Sequence, residues 1–309
     1  MTTECSVHEI IPVNAVRTWP LPGSGETDGR WQALIDISRR DVVVGRLTEA
    51  HADACAITHE LDSPGPQPQQ LWGVWAAQPP RPVLRANPHG DNALLSGEKM
   101  WCSGAGLCTH ALVTAEAPEG VRLYAVELSH PGVRVVPDTW HGFGMARSST
   151  LTVSFDRVPA EPVGAPGDYL ARAGFWHGAI GVAACWLGAA VGVADRLLND
   201  SGSDPLRRAH RGAVDATLYA ARSTLHSAAM EIDADPENQQ AARIRARRVR
   251  AVVEHSASST LEHVGRALGA GPLSLDGEHA RRVADLTVYL RQSHAEYDLA
   301  DLGELLEQR

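Results

Sequence analysis

Leu95-Ser96-Gly97-Glu98-Lys99-Met100-Trp101-Cys102-Ser103-Gly104-Ala105-Gly106 reads as a strand running into a glycine-rich turn. An indole and a hydroxyl are presented at that turn. A flat aromatic ring beside a hydrogen-bonding serine and exposed backbone amides suits a planar heteroaromatic cofactor. A hairpin with a core tryptophan is the alternative reading of the same residues.

Working outward, short β-type runs recur on both sides: Leu71–Ala76, Ala111–Ala115, Leu123–Glu127, Val133–Val136 and Leu151–Phe155, punctuated by Gly, Pro, Asn and Asp. Their spacing predicts a small antiparallel barrel or sandwich over residues 69–164. Upstream, Trp31, Leu34, Ile35, Val42, Leu47, Ala54, Ile57 and Leu61 recur at three- and four-residue steps, predicting two short helices in a region spanning 1–68. Ser63-Pro64-Gly65-Pro66-Gln67-Pro68 ends that region, because proline removes donors and fixes φ. Downstream, from 165 to 309, Ala-rich helical periodicity predicts four helices near 169–199, 205–233, 237–269 and 277–306, a bundle count. The fold expected is therefore α+β: a short N-terminal helical region, a β-barrel middle domain and a C-terminal four-helix bundle.

A chain of 309 residues, 44% hydrophobic and 21% charged, is long enough for about two domains. With 28 Lys+Arg against 37 Asp+Glu the net charge is −9, which offers no basic surface for nucleic acid. Met1-Thr2-Thr3-Glu4 carries no basic or apolar leader, so a cytoplasmic location is expected. Cys5, Cys55, Cys102, Cys108 and Cys185 are odd in number without a CxxC pair, and read as reduced thiols. Gly174 to Ala194 lacks formal charge and is long enough to span a bilayer, but its five glycines and His177 favour a buried bundle helix. In it, Gly188-x-x-x-Gly192 would let a neighbouring helix approach closely.

The Leu95–Gly106 run resembles the G-x-K-x-W-[IV]-[TS]-N-G signature of the acyl-CoA dehydrogenase family. Pro131-Gly132-Val133, then Gly142-Phe143-Gly144-Met145-Ala146-Arg147-Ser148-Ser149, then Val153-Ser154-Phe155-Asp156-Arg157-Val158-Pro159 and Gly164 are similar to that family's later middle-domain motifs in order and spacing. Arg208-Ala209-His210-Arg211-Gly212 stands at the place of R-x-x-F-G, and Gly269-Ala270-Gly271-Pro272-Leu273 resembles the G-G-x-G-[YF] turn, which a helix C-cap would equally explain. The resemblance implies FAD as cofactor, with Trp101 packing on the flavin ring, Ser103 reaching it near N5, and Arg208 on its phosphates. It further implies oxidation of an acyl thioester between Cα and Cβ, an electron-transfer partner, and a homodimer or homotetramer.

Several positions depart from the family. Its carboxylate base follows an R-D-A triad; here Asp285 takes the triad Asp position, Ser293 falls near the base position, and the neighbouring His294 is the base candidate. Read on one helix, His294 and Glu296 cannot face the same ligand. Glu231 and Glu254 are alternative carboxylates on other helices. Ala77 and Gln78 stand at the positions of the flavin-contacting Thr-Glu pair, and no Gly-Ser-Asp loop follows. Two further readings stand beside dehydrogenation: a non-catalytic structural or regulatory subunit, and a flavin monooxygenase, which needs no α-proton base. Trp72 and Trp75 read as barrel core. His51 and His59, two helical turns apart, form a poor chelate. The cluster Arg243, Arg245, Arg247, Arg248 and Arg250 reads as a solvated face, with an acidic partner surface or a nucleotide phosphate as the other options.

Overall fold

The computed structural model describes residues 19–199, 202 and 204–307. Cys5 and the Met1–Glu4 start lie outside them. By internal contacts, Leu47–His141 and Ala146–Phe175 form one compact unit, while Pro20–Arg46, Gly142–Met145 and the residues from Trp176 onward form a second. Their elements are, in chain order, α1 (Thr27–Arg40), α2 (Val42–Glu60), β1 (Trp72–Trp75), β2 (Leu84–His89), β3 (Asn92–Cys102), β4 (His110–Ala117), β5 (Gly120–Glu127), β6 (Val133–Val136) and β7 (Leu151–Val163). There follow α3 (Asp168–Ala171), α4 (Ala173–Leu198), α5 (Pro205–Ala234), α6 (Gln239–Leu268), α7 (Ala270–Leu275), α8 (Gly277–Tyr289) and α9 (Glu296–Glu307).

In the first unit, β4, β2, β3, β7 and β5 are hydrogen-bonded in that order, and β5 pairs back to β4, closing a barrel. β1 extends it beside β4 and β6 beside β7. The barrel is mixed, not purely antiparallel: β1 runs parallel to β4, and β2 meets β4 in parallel at Arg85 and Glu116. Parallel neighbours need a long crossover, and β2 with β3 supplies the one between β1 and β4. The alternation of β4 explains its placement. Ala111, Val113 and Ala115 fill the barrel interior, while Leu112 on the opposite face joins Ala54 and Ile57 of α2 in a separate apolar cluster. Trp75 is buried in the barrel interior as expected, whereas Trp72 is buried on the opposite face, in the cluster with Leu112 and α2.

The second unit is helical. Three of its helices begin on side-chain caps: the Asp204 carboxylate accepts from the N–H groups of Leu206 and Arg207, Asn238 from Ala241, and Asp276 from His279. Among the described residues α4 is the one helix long and apolar enough to cross a membrane, but 89% of its most apolar window is buried in the protein. Gly188 on α4 has a packing cause: a Cβ there would sit 2.3 Å from the Ile35 carbonyl oxygen of α1, and at Gly192 one would sit 2.5 Å from that of Arg39. The small-residue spacing is thus the seam along which α1 lies.

The fourth expected helix, 277–306, is broken. α8 stops at Tyr289, a short 3-10 turn covers Leu290–Gln292, and α9 restarts at Glu296. No Gly or Pro marks the break; polar capture does. The Arg250 guanidinium donates to the Gln292 carbonyl, the Ala295 N–H donates to Ser293 Oγ, and the His294 N–H donates to Asp298. The backbone groups freed from helical pairing therefore keep partners.

Four of the five arginines of the α6 cluster are not a solvated face; Arg248 is exposed. Arg243 and Arg247 both pair with Asp301 of α9, Arg247 also pairs with Asp298, and both guanidiniums lie over the Trp176 ring at 5.6 and 5.1 Å. Arg245 donates to Glu231, and Arg250 lies over Trp186 while donating to the Ala179 carbonyl. The acidic partners are supplied by the same chain, from α5 and α9.

Candidate cofactor site

The Trp101–Gly106 turn belongs to the barrel unit. Strand β3 loses register with β7 between Lys99 and Cys102, and Trp101 sits in that irregularity with φ +57°. A positive φ is an outlier for a bulky residue, and a bulge re-aims the side chain that occupies it. The consequence is an indole 52% exposed, while Cys102 beside it is fully buried. Gly104 follows at φ +79°, where an added Cβ would lie 2.6 Å from Cys108 Sγ, so glycine is required for both reasons.

The backbone amides of this turn are not free, contrary to the sequence expectation. Gly104 N–H donates to the Ser148 carbonyl at 2.8 Å and Ala105 N–H to the Ser149 carbonyl at 3.0 Å. Ser149 Oγ in turn donates to the Ala105 carbonyl, and Trp75 Nε1 donates to the Ser103 carbonyl at 2.9 Å. The turn is therefore laced to the segment that opens β7, and its Gly104 and Ala105 amides are taken.

Side chains of the turn and of that segment form an ordered chain of hydroxyls. Thr150 Oγ1 donates to Ser103 Oγ at 3.0 Å and lies 2.7 Å from Ser148 Oγ. With its single proton given to Ser103, Thr150 accepts from Ser148. The Ser103 proton is then left to donate outward, next to the exposed Trp101 ring. Ser148 and Thr150 were not selected by sequence reasoning, although Ser148 lies in the motif quoted for the family likeness. Behind the turn, the buried Lys99 ammonium donates to the Thr114 carbonyl and hydroxyl at 2.7 and 2.8 Å, and burial pushes its pKa down to about 8.

The remaining candidates lie in the helical unit. Arg208 is exposed on the first turn of α5, where its own N–H donates to Asp204. His294 lies outside any helix, between the Leu290–Gln292 turn and α9, so the helical-wheel argument against Glu296 does not apply to it. Its side chain is 76% exposed, with Nδ1 3.4 Å from Asp298. Asp285 is buried and accepts the Met145 N–H at 2.6 Å, tying down the 142–145 strand of chain. Glu231 is engaged by Arg245, and Glu254 by Arg291 and Ser258. His51 is wholly buried, its Nδ1 accepts the Trp72 N–H, and burial lowers its pKa to about 4.

An exposed ring, an outward hydroxyl donor and a rigid turn fit the requirements of a flavin ring, whose faces are apolar and whose edge carries acceptors.

Comparison with known proteins bears on the fold. Residues 80–158 match the acyl-CoA dehydrogenase middle-domain model. The chain is 35% identical over 167 residues to L-evernosamine nitrososynthase from a Micromonospora strain, covering 47% of this chain and 39% of that protein. It thus spans well under half the length of that relative. Among solved structures, FMN-bound TdsC from a Paenibacillus species, a dibenzothiophene monooxygenase, superposes with TM-score 0.79 at 19% identity, covering 92% of this chain and 84% of that one. KijD3, in complex with FMN and a dTDP-linked amino keto sugar, gives 0.78 at 18% identity over 98% of this chain and 83% of the other. With the closed barrel, the helical unit and the match over residues 80–158, the chain has an acyl-CoA dehydrogenase-like fold whose middle part carries that family's middle-domain sequence.

Proposed function

We propose that the protein is a flavin-dependent monooxygenase acting on the nitrogen of an amino sugar. The observation that carries this reading is the state of the segment that would hold an α-proton base. Ser293 stands at the base position, His294 leans on Asp298, and Asp285 is committed to the Met145 N–H. Oxidation of an acyl thioester needs a carboxylate there to take the α-proton; oxygenation of an amine does not. The likeness to L-evernosamine nitrososynthase supports the amino-sugar substrate class.

Trp101 would pack on the flavin ring, Ser103 would donate to its acceptor edge, and Arg208 would meet its phosphate with a planar guanidinium fork. FMN, the flavin of the TdsC and KijD3 complexes, is the form proposed in place of FAD. Bound and reduced, a flavin supplies the two electrons that let dioxygen place one oxygen atom on substrate nitrogen and release the other as water. Within the chain, Ser148 and Thr150 hold the Ser103 hydroxyl in its donating orientation. A separate electron-transfer partner would supply the reductant, and the enzyme would work as a cytoplasmic homodimer or homotetramer.

The test supplies photoreduced FMN, ¹⁸O₂ and a dTDP-linked amino sugar, and reads product mass. Incorporation of the label into nitrogen, absent without protein, supports the reading. An unlabelled amino sugar, together with desaturation of butyryl-CoA when oxidised flavin replaces the reduced form, would overturn it in favour of dehydrogenation.

A further inference from the structure

A cavity of about 690 Å³ opens in the barrel unit and is lined by neither Trp101 nor Ser103. Its size lies within the usual range for small-molecule pockets. The wall is apolar: Trp75, Leu107, Val133, Val135 and Val153 line it. Polar groups gather at Gln70, His110 and Glu127, the last two being directly opposed residues of β4 and β5.

The hydrogen bonds fix the charge of this polar end. Gln70 Oε1 accepts from Trp72 Nε1 at 2.8 Å and from the Gln67 N–H at 2.8 Å, so its amide nitrogen is the atom turned toward His110 Nε2, 3.4 Å away. His110 Nε2 is then an acceptor, and the ring proton sits on Nδ1, which donates to Thr109 Oγ1 at 3.0 Å. One face of the ring is covered by Trp72, stacked at 5.1 Å and 6°. The imidazole is therefore held neutral, and burial lowers its pKa in the same direction. Glu127, which accepts from Ser129 Oγ, is left as the one formal charge on the lining.

We propose that this cavity is a binding site for a small ring-bearing primary amine, with the ring against Trp75 and the valines and the ammonium at Glu127. Glu127 is exposed at the open side of the cavity, where an ammonium would gain a charge pair and an anion would be repelled. The site is separate from the flavin reading and does not depend on it. An occupant would touch Trp75, whose indole N–H holds the Ser103 carbonyl, so binding has a route to the cofactor turn.

The probe is 4-fluorobenzylamine, followed by ¹⁹F line broadening against the full chain, with 4-fluorobenzyl alcohol as the uncharged control. Saturable binding of the amine is expected. Val135→Trp, which puts bulk on the lining of the half-open cavity, should weaken it several-fold. Glu127→Gln should weaken the amine about two- to fivefold, the scale of an exposed charge pair, and leave the alcohol unchanged. Circular dichroism establishes that both variants fold. Absence of saturable binding, or amine affinity untouched by Val135→Trp, overturns the site. Equal affinity for amine and alcohol in the wild type overturns the assignment of the amine.

Discussion

In the barrel unit the buried His51 and Lys99 have backbone or hydroxyl partners and no carboxylate among the described residues, and the candidate site hangs on a chain of three neutral hydroxyls. In the helical unit the polar interior is built from opposite charges: Arg245 with Glu231, and Arg243 and Arg247 with Asp298 and Asp301. The difference follows from secondary structure. Strand edges and turns offer carbonyls to a buried donor, whereas most of a helix's are already taken, so the α6 arginines draw chiefly on carboxylates, Arg250 with its two carbonyls being the exception. It teaches that the two units respond to different perturbations: protons for the barrel, truncation of a charge for the helices.

The sharpest break of the helical side is steric. Gly188→Val places carbon where the Ile35 carbonyl already lies, and global stability in urea should fall by about 3 kcal/mol or more. On the barrel side the corresponding lever is pH. The His51 pKa is near 4 in the folded chain, below its ordinary value of 6.5, so the unfolded chain takes up the proton first as pH falls. Stability is unaffected above pH 6.5 and is lost between 6.5 and 4, by about 3 kcal/mol at the lower end. His51→Gln, whose amide oxygen can still accept the Trp72 N–H, should flatten that part of the stability curve.

Smaller effects refine the contrast. Arg247→Met removes the guanidinium from Asp298 and leaves Asp301 with Arg243 alone, and should cost about 2 kcal/mol, seen first as faster hydrogen exchange across α9 with barrel amides unchanged. Arg266→Ala removes an exposed pair with Glu262 one turn away on α6 and should change stability by less than about 0.5 kcal/mol. Should Arg266→Ala match Arg247→Met, the distinction between internal and surface charge pairs in the helical unit fails.

What the sequence made legible follows the same division. The Trp101–Ser103 turn was readable because its determinants are local: a strand, a bulky aromatic and glycines within six residues. The lacing of that turn by Ser148 and Thr150 was not, because the partners come from about 45 residues away, across the β3–β7 pairing. The strand β2 escaped notice for another reason: its Pro88 and polar Arg85, Asn87 and His89 give it no clean apolar alternation. The four long helices were visible in their periodicity. The break at 290–295 was not, since it rests on Arg250 and Asp298, neither of which is a local stop signal. For the same reason Arg243 and Arg247 read as solvated when their acids lie more than 50 residues on.

The central claim is that the Trp101–Ser103 turn holds a flavin. Its most direct test is the visible spectrum after incubation with excess FMN or FAD and desalting, run on the wild type, Trp101→Ala and Ser103→Ala. The account predicts bands near ~370 and ~450 nm for the wild type, with retention at least about tenfold weaker in each variant, as expected for loss of a stacked ring or a directed hydrogen bond. A wild type that emerges colourless from both flavins, or variants that retain flavin as well as the wild type, would contradict it.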